Sequence, residues 1–73
     1  MSAKTDSRKL LGETIRAYRE AAHLSQEKLA ELADLSRNFV GAVERGEDTI
    51  SVEALVRVAK ALRVRARDLV SNL

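Results

Sequence analysis

Cysteine is absent from this chain. That excludes disulfides, a thiolate metal site and thiol redox chemistry, and it fits a reducing cytoplasm, the expected location. Proline is absent too, and glycine occurs only at Gly12, Gly41 and Gly46. Aromatic residues make up 3% of the chain against 45% hydrophobic residues, so the core has to be built from Leu, Val, Ile and Ala. No apolar run approaches the roughly 18 residues of a membrane span, so no membrane partner is expected. The first residues, MSAKTDSRK, lack the apolar segment of a secretory signal. There is one histidine and no glycine-rich phosphate loop, and 73 residues leave no room for a cleft beside a scaffold. These absences argue against an enzyme. No catalytic residue, metal or cofactor is expected.

What is present is helical periodicity. Residues 1–7 are polar and read as a flexible arm, with residues 8–73 as the single folded domain. Five helices are expected, giving an all-α fold. The first runs from about Ser7 to Ala22, with Leu11, Ile15, Tyr18 and Ala22 on one face. Ser25, Ser36 and Ser51 each precede an apolar-periodic segment and read as N-caps, worth about 1 kcal/mol apiece. None has Glu or Gln three residues later, so none forms a full capping box. The second helix turns Leu29, Leu32 and Ala33 inward, and the third Val40 and Val43, stopping near Gly46 as a left-handed terminator. The fourth turns Leu55, Val58, Ala59 and Leu62 inward. The fifth, from about Ala66, is anchored by Leu69.

The segment Ser25–Gly46, SQEKLAELADLSRNFVGAVERG, carries the functional signal. Two short amphipathic helices are joined by about three residues, too tight for a side-by-side hairpin but suited to a helix-turn-helix that holds its second helix out for a DNA major groove. Bulk charge does not add to this. The net charge is +2, and within the segment Lys28, Arg37 and Arg45 are outnumbered by Glu27, Glu31, Asp34 and Glu44. The basic surplus lies later, in Arg57, Lys60, Arg63, Arg65 and Arg67.

The runs LSQEKLAELADLS, VERG and ISVEALVRVAKALRV resemble the lambda-repressor/Cro-type helix-turn-helix family over about Leu11 to Leu69. The segment RNFVGAVERGEDTIS is most similar to small stand-alone regulators such as the controller proteins of restriction–modification systems. The resemblance implies a compact five-helix, lambda-repressor-like DNA-binding domain. On it, Ala30 is small because two helices cross there, and Leu35 closes the turn into the core.

The exposed face of the third helix supplies Arg37, Asn38 and Ala42, with Phe39 at its edge, as candidate base contacts. A guanidinium can bridge guanine O6 and N7, and a carboxamide adenine N6 and N7, each worth about 1–3 kcal/mol of discrimination. Phe39 can touch a thymine methyl. Gln26, Ser36, Arg45 and Thr49 are implied phosphate contacts, which position without reading sequence. The family pairs an arginine late in helix one with a glutamate late in helix three, here Arg19 and Glu44. His23, Asp34 and Arg63 stand where the family often has glycine. Glu47 and Asp48 stand in a loop that is often basic in similar proteins.

Val56, Val70 and Leu73 find no obvious place in a monomer core, Val52 and Val64 are borderline, and Val56, Val64, Val70 and Leu73 read as a homodimer surface. The leading reading is therefore a dimeric, sequence-specific transcriptional regulator on double-stranded DNA, acting as a repressor by blocking RNA polymerase or as an activator by recruiting it. A second reading is a protein-interaction module such as the antitoxin of a toxin–antitoxin pair, favoured by the acidic second helix and acidic loop. Arg63, Arg65 and Arg67 lie away from the expected DNA face, at an interface rim or a partner site.

Overall fold

The three serines set where the interior helices begin. A computed structural model describes the backbone of residues 3–73 and the side chains of residues 7–73. Ser25 Oγ accepts from the Lys28 N–H at 2.9 Å, Ser36 Oγ from Phe39 at 3.0 Å and Ser51 Oγ from Ala54 at 3.1 Å. Each serine is extended and satisfies an amide that has no partner inside its own helix. These caps open α2 (Gln26–Ala33), α3 (Arg37–Glu44) and α4 (Val52–Leu62). They are preceded by α1 (Ala3–Ala21) and followed by α5 (Ala66–Val70). At α5 the reciprocal half of a capping box appears, with the Arg65 N–H donating to Asp68 Oδ2 at 2.9 Å.

The C-terminal ends of α1 to α4 share one device. His23, Asp34, Gly46 and Arg63 all adopt left-handed backbone, at φ 60°, 57°, 75° and 60°. After each, the next residue donates back five positions: Leu24 to Arg19 O, Leu35 to Ala30 O, Glu47 to Ala42 O and Val64 to Ala59 O, at 2.8 to 3.1 Å. This is the Schellman closure. Only Gly46 carries the residue that enters this region without steric cost. Leu24, Leu35 and Val64, the apolar residues that follow, pack against the core.

That core is aliphatic: Ile15, Leu29, Ala30, Ala33, Val40, Val43, Val58, Ala59, Leu62 and Leu69 are buried together. α2 packs on α3 and α4, α1 on α3 and α5, and α4 on α5. α1 crosses the end of α3 at Gly12, where the Val43 and Glu44 carbonyls come so close that a side chain has no room.

Several inward assignments are corrected. Tyr18 and Ala22 are exposed. The buried stripe of α1 runs through Gly12 and Ile15 to Arg19, whose guanidinium takes a place that periodicity would give to an apolar residue. Leu32 is 50% exposed, because α2 buries Leu29, Ala30 and Ala33 and Leu32 lies about 100° of helix rotation beyond Ala33. α1 begins at Ala3 rather than Ser7. Of the expected arm, Met1 and Ser2 lie outside the described residues, as do the side chains up to Asp6.

Candidate nucleic-acid interface

The turn between α2 and α3 is Asp34-Leu35-Ser36. Asp34 reverses the chain in left-handed backbone, Leu35 packs on the core, and Ser36 caps α3. Arg37 and Asn38, the first two residues of α3, are therefore placed at its exposed start. Neither takes part in an ion pair or side-chain hydrogen bond among the described residues. Two free donor groups at the head of a rigid helix can meet base edges or phosphates. Ala42, one turn further, is half-buried, and Arg45 at the end is exposed.

Phe39 follows Asn38 on α3. It is partly buried, packs against the core and, with Ile15, Leu29, Val40, Val58 and others, lines a residual apolar void of about 10 Å³.

α3 is tied to α1 by Arg19 and Glu44. The Arg19 Nε donates to Glu44 Oε2 at 2.7 Å and its Nη2 to Oε1 at 3.0 Å, a bidentate pair whose side chains are 11% and 2% exposed. The hydrogen bond to Glu44 raises the Arg19 pKa further above its ordinary value, outweighing the loss of hydration on burial. Arg19 Nη1 also donates to Leu24 O at 2.8 Å. A third donor, Gln26 Nε2, reaches Glu44 Oε1 at 3.0 Å. Gln26 is thus half-buried in a polar network, where only a phosphate contact was expected of it.

The remaining backbone candidates are exposed. Ser36 Oγ accepts from the Phe39 N–H, which leaves its hydroxyl hydrogen to donate. Arg45 Nε donates to Glu47 Oε1 at 3.0 Å. Asp48 Oδ1 accepts from the Thr49 N–H at 2.8 Å. The acidic loop thus holds a cation, Arg45, that was expected to contact phosphate. A further cation that sequence reasoning left on the surface, Arg57, donates from Nε to Ala33 O at 2.9 Å, a carbonyl in the last turn of α2.

Val52 (77% exposed) and Leu73 (52%) stand in solvent, and Val56 and Val70 are a little over one-third exposed, on α4, α5 and the residues after it. Val64 does not join them. It is partly buried against the core as the residue after a left-handed terminator, which removes it from the expected dimer surface.

Capped helices, a three-residue turn and an exposed, tethered α3 define a helix-turn-helix protein. The chain belongs to the HTH_3 helix-turn-helix family, which matches residues 15–69. It is 39% identical to the control protein C.SmaI of Serratia marcescens over 67 residues, 92% of this chain and 80% of that protein. It is 38% identical to the control protein C.BamHI of Bacillus amyloliquefaciens, covering 85% of this chain and 78% of that one. The crystal structure of the restriction–modification controller protein C.AhdI of Aeromonas hydrophila superposes with a TM-score of 0.84 at 40% identity, over 85% of this chain and 94% of that one. The chain is a DNA-binding regulator of transcription and not an enzyme.

Proposed function

We propose that this protein is a controller-type, sequence-specific regulator that binds a two-fold symmetric operator as a homodimer, with α3 in the major groove. The observation that carries this reading is the exposed, unengaged pair Arg37 and Asn38 at the head of a helix fixed by the buried Arg19–Glu44 bridge. In it, Arg37 and Asn38 read base edges, assisted by Ala42 and the outer edge of Phe39, and Gln26, Ser36, Arg45 and Thr49 hold the phosphates. Val56, Val70 and Leu73 join two copies, spacing their recognition helices about 34 Å apart to match half-sites one turn of DNA apart. Occupancy of the operator then blocks RNA polymerase or recruits it.

The test is selection of bound fragments from the source genome with purified protein, beside Arg37→Ala. Enrichment of a symmetric site that the variant loses is the expected result. Enrichment no greater than non-specific binding overturns it. Sedimentation at high micromolar concentration is expected to show a dimer, and a monomer there would remove the two-fold part of the reading.

A further inference from the structure

Glu44 is the one buried charged side chain among the described residues, and its two oxygens take three donors from two other helices. A carboxylate only accepts. Gln26 therefore has to turn its amide nitrogen to Glu44, and its carbonyl oxygen points the other way. That oxygen lies beside Gly41, 3.6 Å from where a Cβ would stand, and Arg45 Nη1 lies 3.1 Å from the same point. Polarity alternates along the row: Arg19 cation, Glu44 anion, Gln26 nitrogen, Gln26 oxygen, Arg45 cation. The first three members are joined by hydrogen bonds, and the Gln26 oxygen and Arg45 both lie beside Gly41.

We propose that Glu44 is a positioning residue for Gln26 in DNA binding. One Nε2 hydrogen is committed to the carboxylate, so the second is held in a fixed direction at the start of α2, with the carbonyl turned towards Arg45. An unrestrained glutamine gives up rotamer freedom at the moment it contacts a phosphate, whereas one already held by Glu44 has little left to lose. The pair Glu44 and Arg19 then does more than anchor α3, because the same carboxylate aims a contact on α2. This rests on the proposed reading of Gln26 as a backbone contact.

The test is a double-mutant cycle with Glu44→Gln and Gln26→Ala. Affinity is measured by fluorescence anisotropy on the duplex recovered in the genomic selection, with an unrelated duplex of equal length as control. Glu44→Gln is expected to weaken binding about tenfold more in the Gln26 background than in the Gln26→Ala background. Equal factors in the two backgrounds overturn the proposal. The Gln26 side-chain amide, followed by NMR, is expected to be ordered in the wild type and averaged in Glu44→Gln, and equal order in both overturns it as well. If Glu44→Gln does not fold, Glu44→Asp replaces it in the same cycle, keeping the charge but withdrawing the carboxylate from Gln26. A wild-type protein that binds the duplex without coupling sinks only this inference. One that binds no duplex in an Arg37-dependent way sinks the proposed function and this inference with it.

Discussion

Adding one methyl group at each of two buried helical glycines is expected to have opposite consequences. In a helix interior, Gly→Ala contributes about 0.5–1 kcal/mol through the backbone alone. What the new Cβ meets decides whether that gain survives. At Gly12 it would lie 2.6 Å from the Glu44 carbonyl oxygen and 2.9 Å from the carbonyl carbon, and it would overlap the Val43 oxygen. These are backbone atoms, so α1 has to move off α3, at an overpacking cost of about 1–3 kcal/mol or more. The same movement separates Arg19 from Glu44. At Gly41 the nearest atom is Arg45 Nη1 at 3.1 Å, the tip of an exposed side chain that can swing away, and the next is Gln26 Oε1 at 3.6 Å, an ordinary contact. Gly41→Ala is therefore expected to raise the melting temperature by several degrees, at about 4–8 °C per kcal/mol for a domain of this size, and Gly12→Ala to lower it. Gly41→Ala should also weaken binding to the selected duplex, because the methyl pushes Arg45 aside. Thermal and urea unfolding by far-ultraviolet circular dichroism, with anisotropy on the same samples, read all three. A Gly12→Ala protein as stable as the wild type, or a Gly41→Ala protein destabilised by more than about 1 kcal/mol, would refute the reasoning from contacts.

Two further changes test the loop and the helix ends. Replacing Glu47 and Asp48 together by lysine frees Arg45 from its 3.0 Å ion pair and adds two cations. Affinity should rise, and the slope of log affinity against log salt should steepen by about 0.9 for each phosphate gained; an unchanged slope would mean that the loop stays clear of DNA. Asp34→Gly and Arg63→Gly relieve left-handed backbone at φ 57° and 60°. Each should move the urea midpoint upward by the equivalent of about 0.5–1 kcal/mol, the side-chain strain less the entropy of glycine, and a downward shift would show that these residues are not strained.

The residues that local rules govern were legible in the sequence. Ser25, Ser36 and Ser51 cap as their position before an apolar repeat requires. His23, Asp34 and Arg63 take the left-handed backbone that their glycine-like positions demand. Val64 follows a local rule too: it stands to Arg63 as Leu35 stands to Asp34, and the residue after a left-handed terminator packs inward. Tyr18 and Leu32 were not legible, since periodicity gives a helix a stripe but only its packing partners fix the rotation of that stripe. Nor were Gln26 on Glu44, Arg57 on Ala33 O, or Gly12 under the end of α3. Each joins residues on different helices, and as isolated residues they look like a surface amide, a surface cation and a spare glycine.

The way cations are used explains how a nearly neutral chain can serve as a DNA-binding protein. Arg19 is tied to Glu44, Arg45 to Glu47, Lys28 to Glu31 at 3.3 Å, and Arg57 to a helix carbonyl. Non-specific binding depends almost wholly on phosphate neutralisation, so each cation engaged within the protein contributes less to it. Base contacts do not rely on the summed field. Each adds about 1–3 kcal/mol through geometry, and the proposed symmetric dimer would make each of them twice. A regulator must find its operator among about 10⁶–10⁹ competing sites, where the ratio of specific to non-specific affinity matters more than either alone. In the proposed reading, engaged cations around an unengaged Arg37 raise that ratio by lowering its denominator. A rigid scaffold is then a requirement, because with little diffuse attraction a displaced α3 has nothing else to hold it on DNA.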